Sequence, residues 1–217
     1  STRLCVAGGV GVNGVCNRQL ALRTPFQEII VHPAAGDAGG AVGAALWAWN
    51  EVLGGARAEG LLRPGLGEES SNAEIHQLLK DLNLSFTEVD PVESAAEAIA
   101  DGKVIGWVQG RSEWGPRALG HRSILADPCR RSMQEVVNKQ IKFREPFRPF
   151  APSILEGHES RYMEVPASGQ QPVRWMLLVT PVKPVAQHWA TTHVDGSARV
   201  HVVESAANPL FAALRPY

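Results

Sequence analysis

Apolar residues along this chain fall into short, regularly broken groups, and the breaks carry as much information as the groups. Residues 3–7 alternate into a strand that Gly8-Gly9 closes. Asn13 is placed to cap a helix carrying Val15, Leu20 and Leu22, and residues 28–31 form a second strand. After His32-Pro33-Ala34-Ala35-Gly36-Asp37, a small-residue helix is predicted over 39–53. Its Gly39, Gly40 and Gly43 lower helix propensity, so close packing against another backbone or a ligand is expected there. Ser71-Asn72-Ala73-Glu74 is a capping box ahead of Ile75, Leu78, Leu79 and Leu82. Residues 86–89 read as a strand, Pro91 opens a helix through Ala100, Gly102 ends it, and 103–109 read as a buried strand. Further strands are expected over 174–182 and 198–203, with a last helix from about Ser205. The Gly- and Pro-rich stretch 54–70 reads as a connector between domains.

Composition changes this picture little. With 44% hydrophobic and 20% charged residues, the chain has the make-up of a soluble globular protein, and no apolar run approaches the ~20 residues a spanning helix needs. No signal peptide is visible and the first residue is Ser1, so a cytoplasmic protein, with residues missing upstream, is expected. The three cysteines form no CxxC pair, which argues against a zinc site or a disulfide framework. Cys5 and Cys16, in apolar runs, are expected to be buried thiols.

Charge distribution says more than the net of −1. Residues 111–148 hold nine cations, Arg111, Arg117, Arg122, Arg130, Arg131, Lys139, Lys142, Arg144 and Arg148, against four carboxylates. A positive island in an otherwise acidic chain points to an anionic ligand. Its first half, 110–123, follows a strand and combines three glycines with Arg111, Arg117 and Arg122. Glycines let backbone approach a ligand, and guanidinium forks grip phosphate or carboxylate in two places. Its second half, 138–152, interleaves cations with Phe and Pro; in an extended chain Lys142, Arg144 and Arg148 would share one face. Such a stripe suits a triphosphate or a nucleic-acid backbone.

Here the sequence becomes recognisable. Glu-x-Gly-Pro-Arg-Ala-Leu-Gly-x-Arg-Ser-Ile-Leu-x-Asp-Pro at 113–128 and Asn-x-x-Ile-Lys-x-Arg-Glu-x-Phe-Arg-Pro-Phe-Ala-Pro-Ser at 138–153 resemble the NodU/CmcH/TobZ family of O-carbamoyltransferases. Ala7-Gly8-Gly9-Val10 with Asn13, residues 33–39, and Thr192-His193-Val194-Asp195-Gly196-Ser197-Ala198-Arg199-Val200 extend the resemblance. It implies an α/β architecture: the C-terminal piece of an actin/sugar-kinase-like ATPase-superfamily domain over residues 1–60, then a YrdC-like domain over 70–217. It also implies that carbamoyl phosphate and ATP give carbamoyl-adenylate, whose carbamoyl group passes to a hydroxyl of a small-molecule or oligosaccharide acceptor.

On that resemblance Arg117, Lys142 and Arg148, supported by Arg144, stabilise the charge gathered during adenylate formation. Arg122, Ser123, His193 and Arg199 contact substrate or phosphate, and Gly8, Gly9, Asn13 and Gly36 border the nucleotide. Asp37 corresponds to a ligand of Fe2+ or another divalent metal, although an Asp before a Gly-rich helix also reads as a cap. Mg2+ is expected with ATP, and a homodimer is one possible assembly. Trp114 is expected to pack, and Arg111, Lys139 and Arg130-Arg131 to be solvated. The alternatives are a threonylcarbamoyl-adenylate-forming enzyme of tRNA modification and a non-catalytic RNA-binding module; the segment from Gly8 to Asp37 argues against the former. As a partial chain, this segment is expected to be a poor carbamoyltransferase on its own.

Overall fold

A computed structural model describes residues 1–57 and 63–214. Helices and small sheets are mixed, as expected of an α/β chain: β1 (Arg3–Val6) pairs in parallel with β2 (Glu28–Val31), joined through α1 (Gly14–Arg23). Asn13 caps α1, its Oδ1 accepting from the backbone N–H groups of Val15 and Cys16, both at 3.1 Å. The next helix, α2, runs Asp37–Trp47 and continues as a π-helical turn over Ala48–Val52. It buries no residue, and Trp47, Trp49, Val52 and Leu53 stand exposed. Only Gly39 meets the expected close approach, since a Cβ there would collide with the Ala34 carbonyl; Gly40 and Gly43 face open space.

The capping signals are realised beyond the connector as well. α3 (Asn72–Asp81) begins at the Ser71–Glu74 capping box, and α4 (Pro91–Ala100) is capped by Asp90. Residues 86–89 adopt no strand and lie on the surface. β3 (Ile105–Val108) and β4 (Arg122–Leu125) form an antiparallel pair whose connection is the glycine-rich loop. α5 (Met133–Val136) runs into a second π-helical turn over Val137–Ile141. β5 (Ser153–Leu155) pairs in parallel with β8 (His201–Val203), and β6 (Val179–Pro181) antiparallel with β7 (Ser197–Arg199). The short helices α6 (Glu159–Tyr162) and α7 (Pro209–Ala213) complete the described elements.

Two expected strands are thus shorter. Across 174–182, Pro172–Trp175 is a 3-10 turn and Met176 is left-handed at φ 55°, so only Val179–Pro181 extends. The stretch 198–203 divides at Val200 between two sheets. Cys5 is exposed and Cys16 half-buried, because β1 is covered only on its alternate face, where Leu4 and Val6 pack.

The core does not respect the linear order of the chain. Ile29, Val31 and Ala35 pack with Leu177, while Ala21 touches both this group and the cluster around Val173, Leu178, Val200 and Val202. The wholly buried Asn17 donates from Nδ2 to the carbonyls of Gly11 (2.9 Å) and Leu177 (2.7 Å). Gln171 exchanges hydrogen bonds with the backbone of Val31 at 2.9 and 3.1 Å, completing the outer edge of β2. The connector, where described, lies along the glycine-rich loop: Gly65 bridges Glu113, and Gly67 N–H donates to the Ser112 carbonyl. The rest of that expected connector, residues 58–62, lies outside the described residues.

Candidate functional site

The loop between β3 and β4 is shaped by one carboxylate. Oε1 of Glu113 accepts backbone N–H bonds from Leu119 (2.7 Å), His121 (2.9 Å) and Arg122 (3.2 Å). Burial works to raise its pKa, but these donors outweigh it and hold the carboxyl below the usual range. Arg122 closes the base of the loop, donating to the carbonyls of Gln109 (2.8 Å), His121 (2.9 Å), Gly110 (3.0 Å) and Glu68 (3.4 Å). Ser123 Oγ accepts from the Gly120 N–H at 3.0 Å. Both residues, expected at phosphate, are thus engaged with their own backbone.

Held in this way, the loop reaches the first part of the chain. Trp114 Nε1 donates to the Ala38 carbonyl at 3.1 Å, in keeping with a packing role. Gly115, at φ 131°, lies so near Pro33 and Ala34 that a Cβ would come within 2.9 Å of the Pro33 carbonyl oxygen, so a side chain is excluded on two grounds. Arg117 then donates to the Val12 carbonyl at 3.3 Å, while its Nε is buried without a partner. Three separated motifs, at 8–13, 33–38 and 113–117, therefore meet at one place.

Arg117 has cationic company there. Arg199, at the end of β7, makes no hydrogen bond or ion pair among the described residues, and its Nε is buried and unpartnered. Burial first, then the nearby charges of Arg117 and Arg144, push its pKa down to about 10, so it stays charged at neutral pH under electrostatic strain. Arg144 is fixed by Asn138, whose Oδ1 accepts from its Nε at 2.6 Å, and by the Phe150 ring 4.8 Å below the guanidinium. The buried Asn138 in turn donates to the carbonyls of Pro146 (3.1 Å) and Arg148 (2.9 Å). Arg148 is exposed, 3.8 Å from Glu145, and close enough to Arg144 to act on its charge. Arg117, Arg144 and Arg199 form a cluster of like charges with no carboxylate paired to any of them among the described residues, an arrangement suited to binding an anion.

The expected common face of Lys142, Arg144 and Arg148 is absent. Lys142 ends the π-helical turn and Phe143 is left-handed at φ 47°, so strand alternation does not hold, and Lys142 is exposed with no ion pair among the described residues. His193 lies beside Arg199: its Nδ1 is 3.1 Å from Ser197 Oγ, which donates to Asp195 Oδ1 at 2.6 Å, and its Nε2 is buried without a partner. Gly8 and Gly9 face open space, and Gly36 and Asp37 begin α2. No group of three His, Cys, Asp or Glu able to hold a metal comes together among the described residues, around Asp37 or elsewhere. Sequence reasoning missed Glu113 and Asn138. A carboxylate six to nine residues before three loop amides, and an Asn just before an Arg-rich stretch, were the available signals.

Comparison with known proteins places the chain in a family. The family model described as Carbamoyltransferase C-terminus matches residues 96–215, more than half of the chain, and that described as Carbamoyltransferase N-terminus matches residues 1–46. Nodulation protein NolO of Bradyrhizobium diazoefficiens is 43% identical over 217 residues, covering 97% of this chain and 39% of that protein. Nodulation protein NolNO of Sinorhizobium fredii is 44% identical, covering 96% of this chain and 32% of its own length. The 3'-hydroxymethylcephem-O-carbamoyltransferase of Streptomyces clavuligerus is 33% identical, covering 96% and 38%. The chain thus spans about a third to two fifths of the length of these relatives. From the match over residues 96–215, supported by these relatives, the chain belongs to the carbamoyltransferase family.

Proposed function

We propose that this chain carries the carbamoyl-activating site of an ATP-dependent O-carbamoyltransferase. The observation that carries the reading is the grouping of Arg117 and Arg144 around Arg199, both acting on its charge, with none of the three in an ion pair with a carboxylate among the described residues. In the proposed reaction water cleaves carbamoyl phosphate to carbamate and phosphate. A carbamate oxygen then attacks the α-phosphorus of ATP and the bond to pyrophosphate breaks. Apart from water, every species in that sequence is an anion, and fixed cations already desolvated in the free protein are matched to the charge gathered as the P–O bond forms. Arg117 and Arg199 are assigned to that charge and Arg144 supports them, while Lys142 and Arg148 are solvent-exposed.

On the same reading, ATP with Mg2+ binds as substrate, Gly8 and Gly9 leave room for a nucleotide, and a hydroxylated small molecule or glycan receives the carbamoyl group. The residues present do not make up a metal site around Asp37, and no step is routed through one. The division into an actin/sugar-kinase-like part to about residue 60 and a YrdC-like part from about 70 belongs to this proposal, as does a cytoplasmic location; no helix among the described residues is long and apolar enough to cross a membrane. The test is pyrophosphate release from ATP. Release that requires carbamoyl phosphate, and falls at least about 100-fold in Arg117→Met, supports the reading. Release independent of carbamoyl phosphate, or steeply salt-dependent RNA binding in its place, overturns it.

A further inference from the structure

The His193–Ser197 turn has a proton arrangement that its geometry fixes. Asp195 Oδ1 accepts both the Ser197 N–H (3.0 Å) and the Ser197 hydroxyl (2.6 Å). Those two donors, the hydroxyl foremost, hold its carboxyl below the usual range, so it is ionised and acts only as an acceptor. The single hydroxyl proton of Ser197 is therefore directed at Asp195, and the serine oxygen is left to accept from His193. His193 Nδ1, 3.1 Å away, must carry the proton that makes that bond. Burial, with the Arg199 charge assisting against Asp195, holds the ring neutral. A neutral imidazole protonated at Nδ1 has a bare lone pair at Nε2, and Nε2 is the buried atom with no partner.

An acceptor beside the Arg199 guanidinium is a poor feature for a site that binds donor-free anions alone, because a sulfate or the dianionic phosphoryl group of an acyl phosphate has no proton to offer it. It suits a ligand that presents an N–H next to its negative charge. Resting on the function proposed above, we infer that His193 Nε2 accepts a hydrogen bond from the carbamoyl NH2 group and is the residue that selects a carbamoyl donor over acyl phosphates of the same shape. Acetyl phosphate places a methyl group where carbamoyl phosphate places NH2. The site would then bury an unsatisfied Nε2 against carbon, the situation in which polar sites discriminate best.

The experiment is calorimetric titration of this chain with carbamoyl phosphate, acetyl phosphate and sulfate. Wild type is expected to prefer carbamoyl over acetyl phosphate by about tenfold. His193→Phe should abolish the preference while sulfate, which has no proton to donate, binds within about twofold of wild type, and His193→Gln, whose amide oxygen can accept, should keep part of it. Nitrogen-15 shifts of the wild-type ring give a reading that needs no variant to fold: they should report Nδ1–H and a bare Nε2. Equal affinity of the wild type for both acyl phosphates, a preference that survives in His193→Phe, or a ring protonated at Nε2 would each overturn the inference alone. Failure of all three ligands to bind would instead bring down the anion site itself.

Discussion

Replacing Arg199 by Met should make this protein more stable and worse at binding anions. The guanidinium keeps its charge at neutral pH although burial, then two neighbouring arginines, push its pKa down by more than two units from the ordinary arginine value, to about 10. At about 1.4 kcal/mol per pH unit, that difference is a penalty of roughly 3 kcal/mol on the charged form. Solvent relaxation and the lost packing of the side chain reduce what a substitution recovers, to about 1–2 kcal/mol. In a chain of this size the gain corresponds to a melting point about 2–6 °C higher. Pyrophosphate affinity should fall about 10- to 100-fold in the same variant, the cost of one lost charge-assisted contact. Urea denaturation and pyrophosphate calorimetry on the two proteins measure both effects. A loss of stability greater than about 1 kcal/mol would refute the reasoning, since it would show that the free protein gains from this charge. Unchanged pyrophosphate binding would refute it equally.

Glu113→Gln keeps the shape of the side chain but removes the charge that three loop N–H groups share. It should lower stability by about 2 kcal/mol in urea denaturation, and it should weaken pyrophosphate binding through misplacement of Arg117. His201 is wholly buried, 3.1 Å from Ser153 Oγ, and burial foremost depresses its pKa to about 4. The fold therefore favours the neutral ring. Its contribution, roughly 3 kcal/mol, is complete above the unfolded value near 6.5, declines as pH falls, and is lost once pH passes through 4. Denaturation midpoints measured from pH 7 to pH 4 should show this loss, and His201→Gln should flatten that part of the profile.

What could be read in the sequence was local in its physics. Asn13, the Ser71–Glu74 box and Asp90-Pro91 each mark a helix start because the cap and the amides it satisfies lie within three residues. The strand β2 was legible for the same reason, its four β-branched or extended positions being bounded on both sides. Alternation misled where one backbone angle changed the count. Phe143 and Met176 turn left-handed, and neither residue type announces this. The positive island was visible as charge, but which of its members cooperate was not. Arg122 is absorbed by four carbonyls and Lys142 is left exposed at the end of a π-helical turn, whereas Arg199, far along the chain from the island, joins Arg117 only through the pairing of β6 with β7. A side chain's freedom to bind depends on what its neighbours in space already occupy, and sequence spacing does not contain that.

The hydrogen bonds of Asn17 to Leu177 and of Val31 to Gln171 close loops of 160 and 140 residues. Their consequence concerns the order of events during synthesis. Residues 171–178 supply the β1–α1–β2 unit with the Leu177 cover of Ile29 and Val31 and with the Gln171 partner of its strand edge. That cover and that partner are added about 140 residues later in synthesis than the strand they complete. Closing loops of that length slows folding far more than it weakens the finished structure, so refolding of this protein should be limited by the arrival of its last third on its first.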